Sequence, residues 1–188
     1  KAPNAVLSVN GSELKLPDVA LTVKGESGVS PENGMKSKFN FGISPLKIAL
    51  PDMGNFVPAA AGTSFEGRLE LEGNLLYDSG AVQCSLNAGI RDASLEMKSS
   101  GIALEGIDVS LSTPDMLSMR SAPGQRFLFK KATFGKLVLY DGVIEYQIDS
   151  PRSIFIEGSE FKWCDGHVYT QSVRFSLDKS VYNVILLC

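Results

Sequence analysis

The chain has 188 residues, 44% hydrophobic and 21% charged, which suffices for one large domain with an ordinary core and argues against disorder over most of its length. Its 18 Lys plus Arg against 21 Asp plus Glu give a formal charge of −3, spread singly along the chain, so no basic stripe points to a nucleic-acid partner. No apolar run reaches the ~18 to 20 residues that span a bilayer as a helix, and the opening KAPNAVLSVNG has no signal-like apolar stretch.

In chain order, Asn10-Gly11 has the composition of a tight hairpin turn. Apolar residues then recur at period two: Val19, Leu21 and Val23, then Phe39, Phe41 and Ile43. That is strand periodicity. SPLKIAL (44–50) before Pro51 is long enough only for a short helix or a loop. PDMGNFVPAAAG (51–62) is an irregular connection at which the chain could be subdivided. Alternation resumes at Leu69 and Leu71, turns at YDSGA (77–81), and continues through Val82, Cys84 and Leu86, and through Ile107, Val109 and Leu111. TPDMLSMR (113–120) again admits at most a turn or two of helix.

LVLYDGVIEYQI (137–148) reads as a hairpin with a two-residue loop at Asp141-Gly142, which puts Leu137, Leu139, Ile144, Tyr146 and Ile148 on one face. EFKWCDGHVY (160–169) gathers the only Trp, the only His and one of three Cys. A loop of Asp165-Gly166 would pair Cys164 with His167 at ~5 Å, the arrangement of a thiol nucleophile and its base. That register splits the apolar residues between faces. A three-residue loop of Cys164-Asp165-Gly166 pairs Trp163 with His167 and collects Phe161, Trp163, Tyr169, Val173, Phe175 and Leu177 on one face, so the reading is a turn.

Short loops make the strands antiparallel neighbours, so the predicted fold is an all-β antiparallel meander, one elongated unit over 1–188. Its apolar face must be covered by a second sheet, by curling, or by a ligand; the closed β-sandwich is the alternative. The chain begins without Met and stops in the apolar YNVILLC, and is read as a piece of a longer protein. Cys84, Cys164 and Cys188 are too widely spaced for a zinc pattern, and their disulfide status is open. Glu70, Glu72, Asp108, Asp115, Glu157, Glu160 and Asp165 come without a His or a Gly-rich cradle, so neither catalysis, nor a metal, nor a cofactor is expected.

SGIALEGIDVSLS (100–112), the run from RSAPGQRFLF to QSVRFSL (120–177) and YNVILLC, in that order, resemble the YdbH family of AsmA-like proteins over about residues 100–188. Asp165 departs from the family by standing where the first of two glycines is usual. The resemblance implies a curled, taco-like sheet whose apolar groove carries phospholipid acyl chains between the two membranes of a diderm bacterium. It implies a periplasmic location, an inner-membrane anchor elsewhere in the parent protein, and an outer-membrane lipoprotein partner pairing with the sheet. The groove candidates, for which core is the competing reading, are Leu137, Leu139, Ile144, Tyr146, Ile148, Phe161, Trp163, Tyr169, Val173, Phe175 and Leu177. A structural or adhesive interaction module is the competing functional expectation.

Overall fold

A computed structural model describes residues 4–9, 12–17, 19–30, 34–55, 58–176 and 186–187. Strands β1 (Asn4–Val9) and β2 (Ser12–Pro17) form a separate two-stranded antiparallel sheet with Val9 opposite Ser12, and the turn expected at Asn10-Gly11 lies outside the described residues. The others are β3 (Leu21–Ser30), β4 (Gly34–Leu50), β5 (Thr63–Asp78), β6 (Ala81–Met97), β7 (Ile102–Thr113), β8 (Gln125–Phe134), β9 (Leu137–Ser150), β10 (Ser153–Trp163), β11 (Gly166–Thr170), β12 (Val173–Ser176) and β13 (Leu186–Leu187). They pair antiparallel in the order β13-β11-β10-β9-β8-β7-β6-β5-β4-β3, and β12 takes the other half of the β10 edge. The result is one open, curled sheet, so the closed sandwich does not hold. Among the described residues the only helical pieces are 3-10 turns at Met53–Asn55, Pro58–Ala60 and Met116–Ser118. SPLKIAL therefore lies within β4, and β4 and β5 pair directly on either side of the 51–62 connection.

Side chains on a strand alternate between faces, and directly opposed residues share a face. β5 sets the frame. Its odd positions carry Phe65, Gly67, Leu69, Leu71, Gly73, Leu75 and Tyr77, while its even ones carry Glu66, Arg68, Glu70, Glu72, Asn74 and Asp78, with Leu76 the apolar exception. Register propagates this division across the sheet. Phe39 and Phe41 of β4 oppose Leu75 and Gly73, and Cys84 and Ala88 of β6 oppose Leu75 and Leu71. One face is apolar and the other polar.

Holding that division over long strands requires a phase change in most of them. In β4 the apolar residues move from odd positions (Phe41, Ile43) to even ones (Leu46, Ile48) across a bulge at Ser44-Pro45. In β6 the move is from Ile90 to Ala93 across Asp92, and in β7 from Leu104 to Ile107 across Gly106. β8 shifts between Phe129 and Ala132, β9 between Leu139 and Gly142, and β10 between Ile156 and Ser159. β5 has no such shift.

The extra residue of a bulge resets the alternation and kinks the strand. Asp92 (φ 46°), Gly106 (φ 63°) and Asp141 (φ 51°) take up the left-handed backbone at three of these points. Asp adopts this conformation more readily than most side chains do. Polar-face partners pin two of them: Arg68 pairs with Asp92, whose N–H donates to Asp108 Oδ1 at 2.9 Å, and Lys162 Nζ lies 2.8 Å from Asp141 Oδ2.

LVLYDGVIEYQI is thus not a hairpin but the body of β9. A hairpin loop and a bulge both advance the alternation by one, so the same five residues share a face either way: Leu137, Leu139, Ile144, Tyr146 and Ile148 oppose Phe134, Ala132, Phe127, Gln125 and, on β10, Ile154. The chain continues instead of turning because β8 and β10 both hydrogen-bond to the segment.

The buried hydrophobic side chains follow the line of bulges. Leu46, Ala93, Ile107, Phe129, Ala132 and Val168 are each under a tenth exposed and lie on the apolar face. Two glycines allow this closeness. A Cβ at Gly67 would sit 2.6 Å from Ala93 Cβ, and one at Gly142 only 1.9 Å from Phe129 Cζ, so the Phe129 ring lies on bare backbone.

Candidate functional site: the apolar face

Away from the bulge line the apolar face is only half-covered. Leu137, Ile154 and Phe175 are exposed, as is Trp163, which keeps 48% of its surface. Leu21 and Val23 of β3 lie on the same face by their pairing with Ile43 and Phe41, and are more exposed still. Burying such side chains is worth ~1.5 to 3 kcal/mol each, so a sheet leaving many of them in water retains a large unused capacity for apolar partners.

Of the groove candidates, Val173 and Phe175 oppose Ile156 and Ile154 on the apolar face, and Phe161 and Trp163 follow on from Ser159. Leu177 lies outside the described residues. Tyr169 is a correction. β10 and β11 pair Trp163 with Gly166, Lys162 with His167, Phe161 with Val168 and Glu160 with Tyr169. The loop is Cys164-Asp165, with Cys164 at φ 51°, so neither of the two registers read from the sequence forms. Tyr169 falls on the polar face, its ring stacked against His167 at 6.3 Å, while Val168 replaces it on the apolar face.

His167 Nδ1 is 3.3 Å from Glu160 Oε1, and Cys164 is an exposed free thiol in the loop. The thiol and imidazole are not opposed, so the nucleophile-base arrangement does not form. Cys84, the other free thiol among the described residues, lies on the apolar face opposite Leu75. The described residues contain no group of three His, Cys, Asp or Glu suited to a metal ion, and no helix long and apolar enough to cross a membrane.

The buried Thr63 hydroxyl, at an apolar-face position of β5, has no hydrogen-bond partner among the described residues, whereas the Tyr146 hydroxyl finds one. Tyr146 donates its hydroxyl to the Ser110 carbonyl at 3.2 Å, reaching across β8, and burial raises its pKa above the ordinary tyrosine value. On the polar face, Lys47–Glu66 and Lys131–Glu105 bridge neighbouring strands, Arg174 of β12 reaches across β10 to Asp149 of β9, and its guanidinium lies 5.1 Å over the Phe155 ring. Exposed pairs of this kind are worth little individually. Their effect is to dress one face in charge.

Three open hollows lie mainly on the polar side of the β3–β7 half. The largest, about 960 Å³, runs among Glu26, Lys36, Lys38, Leu76, Asp78 and Gln83, and a second of about 730 Å³ runs among Thr22, Gly42, Glu72, Asn87 and Arg91. The third, about 430 Å³, adjoins it at Thr22, Glu72 and Asn87 and runs on to Asn40, Asn74 and Ser85. None of them is lined by the groove candidates. Asp78, beside the first hollow, has its pKa lowered chiefly by a hydrogen bond from Lys36.

Sequence reading missed Phe127, Phe129, Ile154 and Ile156 as members of the apolar face. The signal was available in the switch of apolar residues from odd to even positions inside one run, which marks a bulge as well as it marks a turn. No known protein family, curated protein or solved structure matches this chain.

Proposed function

We propose that the chain is a segment of a protein that carries phospholipid between two membranes, holding acyl chains against the apolar face while head groups stay in water. The observation supporting this most directly is a continuous apolar face that no second layer covers among the described residues, with large side chains such as Trp163, Ile154 and Phe175 left half in water. A sliding acyl chain needs a surface of even hydrophobicity rather than a closed chamber, and the hydrophobic effect binds it without a specific polar site. The succession of motifs in residues 100–188 supports the same reading, and with it a periplasmic location and an anchor in the inner membrane supplied by the rest of the parent protein. The segment is non-catalytic in this reading.

The test is native mass spectrometry of the purified chain with extraction and identification of bound lipid, repeated on Leu139→Asp and Phe175→Asp. If these side chains hold lipid, each substitution abolishes co-purified phospholipid while circular dichroism and melting temperature change little. A folded wild-type chain free of acyl ligands, or variants that unfold before they lose lipid, would overturn the reading.

A further inference from the structure

β7 ends at Thr113, opposite Leu86 of β6, so Val82 and Cys84 extend past it on the apolar face with no β7 residue beside them. The chain fills this place with the connection from β7 to β8. Cys84 Sγ donates to Met116 Sδ at 3.8 Å, which sets the 3-10 turn Met116–Ser118 against the apolar side of β6.

This connection is tied down throughout. Gln125, buried, accepts from Ser112 N–H at 2.6 Å and donates to the Ala122 carbonyl at 2.9 Å. Ser121, also buried, donates its N–H to Ile148 O at 3.0 Å and accepts from Ile148 N–H at 2.8 Å. Gly124 N–H donates to Glu157 Oε1 at 3.0 Å. The tip is closed by Leu117 N–H donating to Asp115 Oδ1 at 3.0 Å and Met119 N–H donating to Met116 O at 3.1 Å.

On this bonded base stand three large apolar side chains in water: Met116, Leu117 (68% exposed) and Met119. An ordered loop that exposes them forgoes burial worth ~1.5 to 3 kcal/mol apiece. Asp115 Oδ1 accepts from Leu117 N–H and the Ser118 hydroxyl donates to the Asp115 carbonyl, so both polar side chains are engaged within the loop while the three apolar ones project from it. Unbranched thioether side chains adapt to an irregular hydrocarbon surface. We propose that residues 114–120 form a fixed clasp at the rim of the apolar face, and that Met116, Leu117 and Met119 hold a phospholipid acyl chain beside Val82 and Cys84. This rests on the lipid-carrying reading.

The test places a photoreactive residue in the full chain by Leu117→p-benzoylphenylalanine, with the same replacement at Leu139 on the apolar face and at Glu96 on the polar face. Each is irradiated with radiolabelled dioleoyl phosphatidylcholine delivered from vesicles. The clasp requires labelling at 117 and 139 above that at 96. Labelling at 139 but not 117 overturns the clasp and leaves the lipid reading intact; labelling at neither overturns both.

The triple variant Met116→Ser, Leu117→Ser, Met119→Ser should keep the wild-type melting temperature and release bound lipid roughly tenfold faster. An unchanged release rate overturns the proposal. Loss of vesicle flotation at an unchanged release rate also overturns it, and assigns the tip to a bilayer surface.

Discussion

The same dipeptide occurs at Asp141-Gly142 and Asp165-Gly166, each with a left-handed residue at φ 51°, yet the chain passes straight through the first and reverses beside the second. The left-handed residue is Asp141 in one case and Cys164 in the other. At 141–142 a strand lies on either side, Phe129 covers the glycine, and Lys162 pairs with the aspartate. At 164–166 the chain sits at the tip between β10 and β11, and the nearest atom to a Cβ on Gly166 would be Trp163 O at 3.7 Å. Turn-forming residues therefore supply permission for a backbone conformation. Neighbouring strands decide whether it becomes a bulge or a reversal.

The comparison breaks first at the glycines. Gly142→Ala should cost about 2 to 4 kcal/mol in chemical denaturation, because the new Cβ meets the Phe129 ring. Gly166→Ala should stay within about 0.5 kcal/mol, as a surface change with room for the methyl group. Equal losses would mean that the two sites are alike after all.

The next effect is smaller and of opposite sign. Cys164→Gly should stabilise by about 0.5 to 1 kcal/mol in thermal unfolding by removing a side chain from left-handed backbone. Asp141→Gly should gain less, since it also gives up Lys162. A larger gain at 141 than at 164 would show that the ion pair contributes nothing.

The smallest effect is in titration. A hydrogen bond from Lys162 to Asp141 raises the Lys162 pKa above its ordinary value. A raised cation adds stability that is full below the unfolded-chain pKa and lost as pH rises through the folded one. Lys162 is exposed, so the change in melting temperature at alkaline pH should be slight. Its NMR titration should nonetheless move back toward the ordinary lysine value in Asp141→Asn, and an unmoved titration would remove the pair from the account of the bulge.

The antiparallel meander was legible because period-two alternation and turn residues are local signals; Ser79-Gly80, at φ 47° and 98°, forms the two-residue turn its composition suggests, with Asp78 opposite Ala81. The bulges were not legible, because a one-step phase change in an apolar pattern is shared by bulges and tight hairpins. Hence β9 looked like two short strands while its facing residues came out correctly. At 160–169 the same logic failed for Tyr169. Tyr169 shares the odd alternation of Val173 and Phe175, but the strand breaks at residues 171–172, so the alternation does not carry from β12 back into β11, and Val168 rather than Tyr169 lies opposite Phe161. The 113–120 segment gave no sign of its position, since the Cys84–Met116 contact joins residues far apart in sequence.

The line of bulges has a consequence for how such a sheet could change over generations. Removing Asp92 from β6, or Gly106 from β7, would bring the two halves of that strand into one unbroken alternation without moving a single apolar residue to the wrong side. Shape and greasiness are thus encoded in separable parts of the chain. Insertions and deletions at these points could remodel the bend of the sheet while its water-avoiding surface is inherited unchanged.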